Sequence, residues 1–533
     1  MAINRVALLF FWIPISSFSQ DRYFVSFKDK ANTPYSVSNP LQFLSQKSID
    51  RRVRENFPVI EEDFPVDTAY VHKVKKTGAS VFFTSRWFNG VLIQTDATIA
   101  STVSALPFVS KVELVAPKAK LIGGRRNASN KFEQTNSNAA DLLDQFQLQM
   151  IGLDKMHEAG YHGEGVDIAV LDAGFIGVDT ITGFKPLYNE GRLKSVFNFV
   201  TNTANVYTDH YHGTNTLSIL AGNIPGKFLG GAYQANFFLY QTEDVRSEYR
   251  IEEYNWAFAA ERADSAGVDV ISSSLGYFQF DDPNMDYTYQ NLDGKTTVIT
   301  QAARKAVERG ILVINSAGNE GGDVWKYIIA PADAKGVIAT GAVDASENKT
   351  DFSSVGPSAD GRIKPDVSAL GNNDVLISTP GCCYQGSGTS FSCPLVASLV
   401  AGLRQALPQA SAKEIYQRVI NSASQATRPD NLLGYGIPNF TLAKDLVDFQ
   451  DEFLLYPNPV KDVLRIIFKD PGDQVFNAII FNSAGQKVVE LSDSISWSNN
   501  PYSLDVSSLA TGLYLVKVQT STSNKTDRIV KIN

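Results

Sequence analysis

The sequence predicts an α/β protein built on a mostly parallel sheet with helices on both faces, preceded by a small α+β unit and followed by a small β-sandwich. Three observations predict it. Between about Ala139 and Val447 short β-branched runs alternate with helical ones, which implies crossover connections and a parallel sheet covered on both sides. Before that stretch strand-like runs surround a single helical segment, and after it strands follow one another with only turns between them. The scale agrees: 533 residues with 44% hydrophobic and 20% charged content are too many for one core and too apolar for disorder.

The first twenty residues, MAINRVALLFFWIPISSFSQ, place one cation at Arg5, an apolar run from Val6 to Ile15 and small residues at Ser17 and Ser19. This is the pattern of a secretory signal over residues 1–19. The run is short of the roughly 20 apolar residues that a span needs, and no later segment is long and apolar enough to be one. The mature protein is therefore expected to be exported, with no membrane span after signal removal.

Residues 20–125 contain YFVSF, ASVFF, GVLIQTD and VSKVELV around the helical stretch ATIASTVSALP, an α+β pattern. From Ala116 to about Asn138 the chain is polar and carries Gly123-Gly124-Arg125-Arg126, which reads as an exposed, cleavable linker. The central unit, residues 126–447, runs through GVDIAVLD, HGTNTLSILAG, ANFFLYQTE, a helix from Ile251 to Ala266, VDVISSSLG, the helix TVITQAARKAVERG and ILVINSAGN. In such sheets chemistry gathers at the carboxyl ends of the strands. The tail, 451–533, offers LRIIF, NAIIFN, KVVEL and GLYLVKV separated by turns, after the Pro-rich entry YPNPV.

A formal net charge of -8 leaves no basic field to draw nucleic acid or an anionic membrane, so a protein, peptide or small-molecule partner is expected. Only three cysteines occur, Cys382, Cys383 and Cys393, giving neither a disulfide framework nor zinc spacing. They read as small buried residues in a tight site. Whether any two of them form a disulfide stays open.

Four residues at the ends of these elements carry chemistry. Asp172 is the first polar residue after the apolar part of GVDIAVLD, a carboxylate at a strand's carboxyl end. His212 opens HGTNTLSILAG at a helix start, where an acid partner and a hydroxyl partner would make it a general base. The other histidines, His72, His157, His162 and His210, are given surface or hydrogen-bonding roles. Ser390 lies in GSGTSFSCP, where small residues let another chain approach and an apolar helix begins, with Pro394 near its first turns. A serine there offers its backbone N–H, together with the helix dipole, to an anion. Asn319 ends the strand ILVINSAGN, and an amide N–H so placed would donate to an oxyanion, a contact worth roughly 3 kcal/mol in comparable sites.

The segments VLDAGF, HGTNTLSILAG, SSSLG, SAGNEG, GRIKPDVSALG and GTSFSCPLVA together resemble the subtilisin-like serine peptidases across about 300 residues, and the chain order Asp, His, Ser is that of the subtilisin triad. The resemblance implies a secreted serine endopeptidase, made as a self-processed zymogen, that acts on proteins or peptides. Asp172, His212 and Ser390 would be its triad and Asn319 its oxyanion donor. Ser274, Leu275 and Gly276 would pair with substrate backbone, and Ser316, Ala317 and Gly318 would line the pocket for the side chain before the cut bond. Glu320, next to Asn319, then suggests a mild preference for Lys or Arg in that pocket. Activity is expected to fall as imidazole takes up its proton, because only the neutral ring accepts one. The family's usual residues after the nucleophile are Phe391 and Ser392 here, and its Val-Ala after the histidine motif is Thr216-Leu217, departures that touch pocket detail. Structural calcium is frequent in the family, yet no ligand set can be read.

The N-terminal unit is similar to the propeptides of that family through FNGVLIQTD and VSALPFVSKVEL, which implies a folding aid and intramolecular inhibitor released by cleavage between about Pro117 and Asn138. The tail is similar to the C-terminal sorting domain of type IX secretion cargo, through YPNPVKDVL, GLYLVKV and IVKIN. That implies a Gram-negative source, recognition by the type IX machinery, release to the medium or the outer surface, and removal of the tail. Other classes fit less well. No G-x-S-x-G elbow of an α/β-hydrolase esterase occurs. Ser346-Glu347-Asn348-Lys349 lies in a polar loop after Lys76-Thr77-Gly78, the wrong order for a penicillin-binding enzyme. An exported binding protein on an inactive peptidase fold would need a collapsed site, since all four reacting residues are present.

Overall fold

The computed structural model describes residues 21–31, 33–117, 145–377, 383–426, 428–445, 453–468, 475–494, 502–521 and 523–532. The signal-like stretch 1–19, the linker beyond Pro117, the boundary expected at 125/126, and Cys382 lie outside the described residues.

The N-terminal unit is a four-stranded antiparallel sheet with helices. Strand β1 (Asp21–Phe27) leads to α1 (Gln46–Arg54) and α2 (Thr68–Lys76), then β2 (Ser80–Ser85), β3 (Gly90–Thr95), α3 (Ala97–Ser104) and β4 (Val109–Ala116), in the order β2-β3-β1-β4. The four strands and α3 stand where the sequence put them; α1 and α2 were not foreseen. Helix α1 starts at the Ser45 cap and buries Ser48, Arg51 and Arg52 rather than an apolar stripe, so hydrophobic periodicity cannot find it. Its partner is the central domain.

That domain opens with α4 (Gln145–Met150) and α5 (Leu153–Glu158), followed by β5 (Asp167–Asp172), α6 (Lys185–Asn189), β6 (Leu193–Asn198) and α7 (His212–Ala221). A small hairpin, β7 (Asn223–Ile224) and β8 (Phe228–Leu229), precedes β9 (Asn236–Gln241), α8 (Ile251–Ala266), β10 (Val270–Ser273), α9 (Val298–Glu308) and β11 (Leu312–Ser316). Strands β12 (Ile338–Val343) and β13 (Val367–Leu370), the hairpin β14 (Asp374–Ile377) and β15 (Cys383–Gly386), then α10 (Thr389–Ala406), α11 (Ala412–Asn421) and α12 (Phe440–Asp445) complete it. Seven strands form one sheet in the order β13-β12-β11-β10-β5-β9-β6, and every pairing in it is parallel.

The residues of β5 explain why. Ile168 and Val170 join the core under α7 and α10, whereas Ala169 and Leu171 join the opposite core under α8 and α9. Both faces of the strand are thus apolar and both are covered. The chain runs from β5 through β6 and β9 on one side, then returns to β10 on the other. This reversal opens the crevice at the carboxyl ends of β5 and β10, where parallel sheets bind ligands.

The N-terminal unit docks on the α8–α9 face. Phe24 stacks on Tyr254 with ring centroids 4.2 Å apart, and Trp87, Leu92 and Val115 enter the same core. Glu261 of α8 accepts from Arg86 N at 2.9 Å, Trp87 N at 3.3 Å and Ser85 Oγ. Helix α1 reaches the end of the sheet away from Asp172. Arg51, Arg52 and Arg86 converge on the buried Asp264 carboxylate, and Arg51 Nε also donates to Arg309 O at 2.9 Å. Lys47 lies 2.8 Å from both Asp167 and Asp269, at the starts of β5 and β10.

The tail forms two sheets, β16 (Phe453–Tyr456), β17 (Val463–Phe468) and β20 (Tyr502–Asp505) in one, and β18 (Val475–Phe481), β19 (Lys487–Ser494), β21 (Gly512–Gln519) and β22 (Asn524–Lys531) in the other. Leu464 and Leu504 from one sheet and Phe476, Ile480 and Val516 from the other share one core, the expected sandwich. Among the described residues no helix is long and apolar enough to cross a membrane.

Candidate active site

Asp172 ends the central strand and is fully buried. Its Oδ1 lies 2.7 Å from His212 Nδ1 and also accepts from Ala173 N at 2.7 Å, while Oδ2 accepts from Thr216 Oγ1 at 3.0 Å. The carboxylate is thereby fixed on both oxygens, and it holds the imidazole by Nδ1. His212 is the first residue of α7. Its own N–H is received by His210 Nδ1 at 3.1 Å, the hydrogen-bonding role expected of His210. Helix and strand end meet this closely because Gly213 donates to Gly174 O at 3.0 Å, where a Cβ on Gly213 would collide with that oxygen.

Ser390 is the second residue of α10, and the ring of Phe391, next to it, lies 6.2 Å from the His212 ring. Pro394 stands sixth in the helix, one turn deeper than a position where a missing N–H goes unnoticed. Across from this turn, Asn319 Oδ1 accepts from Thr389 N at 2.9 Å and from Thr389 Oγ1 at 3.0 Å. With its oxygen committed, the amide presents Nδ2 as a donor beside the Ser390 turn.

Ser274, Leu275 and Gly276 directly follow β10, whose ladder stops at Ser273. Ser274 Oγ donates to Ser390 O at 2.9 Å, and Leu275 O accepts from Asn315 Nδ2 at 2.9 Å. Ser316 and Ala317 are buried at the end of β11, and Gly318 adopts φ +112°, its N–H directed to Thr389 Oγ1 at 3.3 Å. A Cβ on Gly318 would run into Glu320 Oε2 and lie 2.8 Å from Ser354 Oγ, so only glycine fits. Glu320 is half-buried, and its enclosed carboxyl accepts from Ser354 Oγ at 2.9 Å; burial pushes its pKa up to about 7. Cys393 is buried and its thiol is pushed up to about 12, in keeping with a packing role.

The sequence reading missed two side chains. Thr216 was seen only as a departure in the pocket, yet its hydroxyl reaches Asp172; its place four residues after His212 on one helix was the available signal. Thr389 was read as merely small, yet it orients Asn319. Away from this constellation, the buried Glu243 and Glu252 and the half-buried Glu248 have carboxylate oxygens within 4.8 Å of one another. An oxygen-only set of that kind suits calcium or magnesium rather than zinc.

A buried acid–imidazole pair at the end of a parallel strand, beside a helix that carries a serine in its first turn, marks the class of serine hydrolases. Residues 163–436 match the model of the Subtilase family, more than half of the chain, and the protein belongs to that family: it is a serine endopeptidase. Residues 22–134 match the Peptidase S8 propeptide domain of Bacteroidota, and residues 454–533 match the Secretion system C-terminal sorting domain. The chain is thus a subtilase zymogen that carries its prosegment at one end and an export signal at the other. It is similar to Subtilisin DY of Bacillus licheniformis, 29% identical over 283 residues, covering 52% of this chain and 91% of that protein. Subtilisin NAT of Bacillus subtilis subsp. natto is 30% identical over 298 residues, covering 55% and 68%. Subtilisin-like protease SBT6.1 of Arabidopsis thaliana is 27% identical over 297 residues, which is 53% of this chain but only 26% of the plant protein.

Proposed function

We propose that the protein is a secreted, self-processing endopeptidase that cleaves polypeptides through Ser390, His212 and Asp172, with Asn319 receiving the oxyanion. The observation that carries this is the buried 2.7 Å contact of Asp172 with His212 Nδ1, which leaves Nε2 as the base. A substrate lies extended along Ser274–Gly276. Neutral His212 takes the Ser390 proton as Oγ attacks the carbonyl carbon, and Asp172 fixes the tautomer and stabilises the imidazolium. The developing oxyanion is met by Asn319 Nδ2 and the Ser390 N–H. His212 then protonates the leaving amine, and water hydrolyses the acyl-enzyme by the same steps in reverse.

The prosegment, residues 20–125 behind a 1–19 signal, inhibits the mature 126–447 domain until the linker is cut, and residues 451–533 direct export through the type IX machinery to the outer surface or medium. Segment 316–318 forms the pocket for the side chain before the cut bond. Because burial raises the Glu320 pKa to about 7, its charge, and with it a preference for Lys or Arg, grows as pH rises through neutral. The test is casein hydrolysis by the full-length chain and by Ser390→Ala, with processing followed on a gel. Wild-type activity, and a variant that neither digests casein nor loses its prosegment, are expected; a Ser390→Ala chain that still matures and digests casein would end the proposal.

A further inference from the structure

An α-helix satisfies the C=O of each residue with the N–H four positions on. In α10 the residue four after Ser390 is Pro394, which has no N–H. The Ser390 carbonyl is therefore denied its helical donor, and it cannot turn to water instead, since Ser390 is only 6% exposed and Pro394 is buried. Buried carbonyls in folded proteins almost always find a partner. Here the partner comes from another element: Ser274 Oγ donates at 2.9 Å, from a side chain only 7% exposed. A weaker contact lies alongside, Cys393 Sγ to Ser273 O at 3.6 Å. The first turn of α10 is thus fastened to the end of β10, and the hydroxyl that fastens it belongs to the residue that opens segment 274–276.

We propose that Ser274 is a positioning residue for the nucleophile: its hydroxyl replaces the amide that Pro394 lacks and fixes the turn bearing Ser390 Oγ and N–H against segment 274–276. This rests on the reading of Ser390 as the nucleophile. The Ser274 proton is committed to Ser390 O, so the hydroxyl does not act as a substrate donor. Its effect passes through the placement of Ser390, where small errors in geometry are expensive in rate. The backbone of 274–276, which would pair with substrate, does not depend on it. Loss of the hydroxyl should therefore appear in kcat and leave KM nearly unchanged.

The pairing with Pro394 supplies a test that a merely structural serine would fail. In the full-length chain, Ser274→Ala is made alone, with Pro394→Ala, and against Pro394→Ala as its own reference; alanine at 394 restores a backbone N–H to Ser390 O. Steady-state kinetics on a chromogenic peptide and the rate of labelling by a serine-directed phosphonate are read after processing. Ser274→Ala is expected to lower kcat about tenfold with KM within about twofold, and to cost less than about twofold when alanine stands at 394. Ser274→Thr, which keeps the hydroxyl, should retain most of the rate. An equal loss in both backgrounds, a loss confined to KM, or no loss at all would overturn the proposal. Should Ser274→Ala alone fail to fold, the double variant decides: folded and active supports the proposal, inactive overturns it. Ser390→Ala separates the two readings. Its survival as an active enzyme would remove the nucleophile assignment itself, whereas an inactive Ser390→Ala beside a fully active Ser274→Ala would remove only the positioning role.

Discussion

At the scale of single residues, the site is held by hydroxyls that carry no signature in the sequence but orient its charged and amide groups. Thr216 donates to the Asp172 oxygen that His212 does not use. Hydrogen bonds to ionised groups contribute roughly 1.5–3 kcal/mol, part of which a rearranged neighbour recovers. Thr216→Val is expected to lower kcat about fivefold to thirtyfold with little change in KM, measured on a peptide substrate; an unchanged kcat would show the contact to be idle. Glu320 offers a second reading of charge. The ratio of kcat/KM for Lys over Leu before the cut bond should rise between pH 6 and 8, roughly through the Glu320 pKa, and Glu320→Gln should flatten that rise. A ratio that ignores both pH and the substitution would remove Glu320 from specificity. The residues proposed to react stood out because each sits near the start or end of an element: Asp172 closes an apolar strand, His212 opens a helix and Ser390 is the second residue of another. The hydroxyl partners did not, since a threonine four residues along a helix, or a serine after a strand, has no signature until the fold brings its acceptor near.

At the scale of elements, strands whose two faces are both buried announce themselves as continuous apolar runs, which is why β5, β9, β10 and β11 were readable. Helix α1 is the opposite case. Its buried face is Ser48, Arg51 and Arg52, and those guanidiniums are met by Ser48 Oγ in the same helix, by Asp63 of the same unit, and by Asp264 and the helix-end carbonyls of the central domain. No local pattern encodes that. The arrangement predicts that the prosegment is held by charge at the end of the sheet away from Asp172. Removing Asp264 leaves Arg51 and Arg86 buried without a carboxylate and Arg52 with Asp63 alone, a loss on the order of 3–5 kcal/mol. Asp264→Ala, introduced into the Ser390→Ala precursor, should lower its melting temperature by several degrees, while a surface change such as Glu308→Gln should not. An Asp264→Ala precursor as stable as its parent would mean that the apolar contacts of Phe24 and Trp87 alone hold the prosegment.

At the scale of the whole molecule, three units match a propeptide, a subtilase and a sorting domain, and the linear sequence disclosed that division because the pattern of strands and helices changes from one to the next. Stability should carry the mark of the central domain's buried acids. Glu253 is fully buried, accepts from Tyr287 OH at 2.7 Å and Ile299 N at 3.1 Å, and burial raises its carboxyl from 4.5 to about 7. The folded state therefore keeps a proton that the unfolded chain releases. This contribution is complete below pH 4.5 and is lost as pH rises through about 7. Its size is on the order of 3 kcal/mol, so Glu253→Gln should make denaturant stability less dependent on pH across that window; an identical pH profile would contradict the assignment.

The central claim is that Ser390, activated by His212, is the nucleophile of a peptidase. It is tested most directly by treating processed protein with a serine-directed phosphonate and mapping the adduct by peptide mass. The account predicts one adduct per chain, on the peptide containing Ser390, formed at least a hundredfold more slowly on a His212→Ala chain matured by added wild-type enzyme, where the base is missing. An adduct on another residue, or none on folded, processed protein, would contradict it.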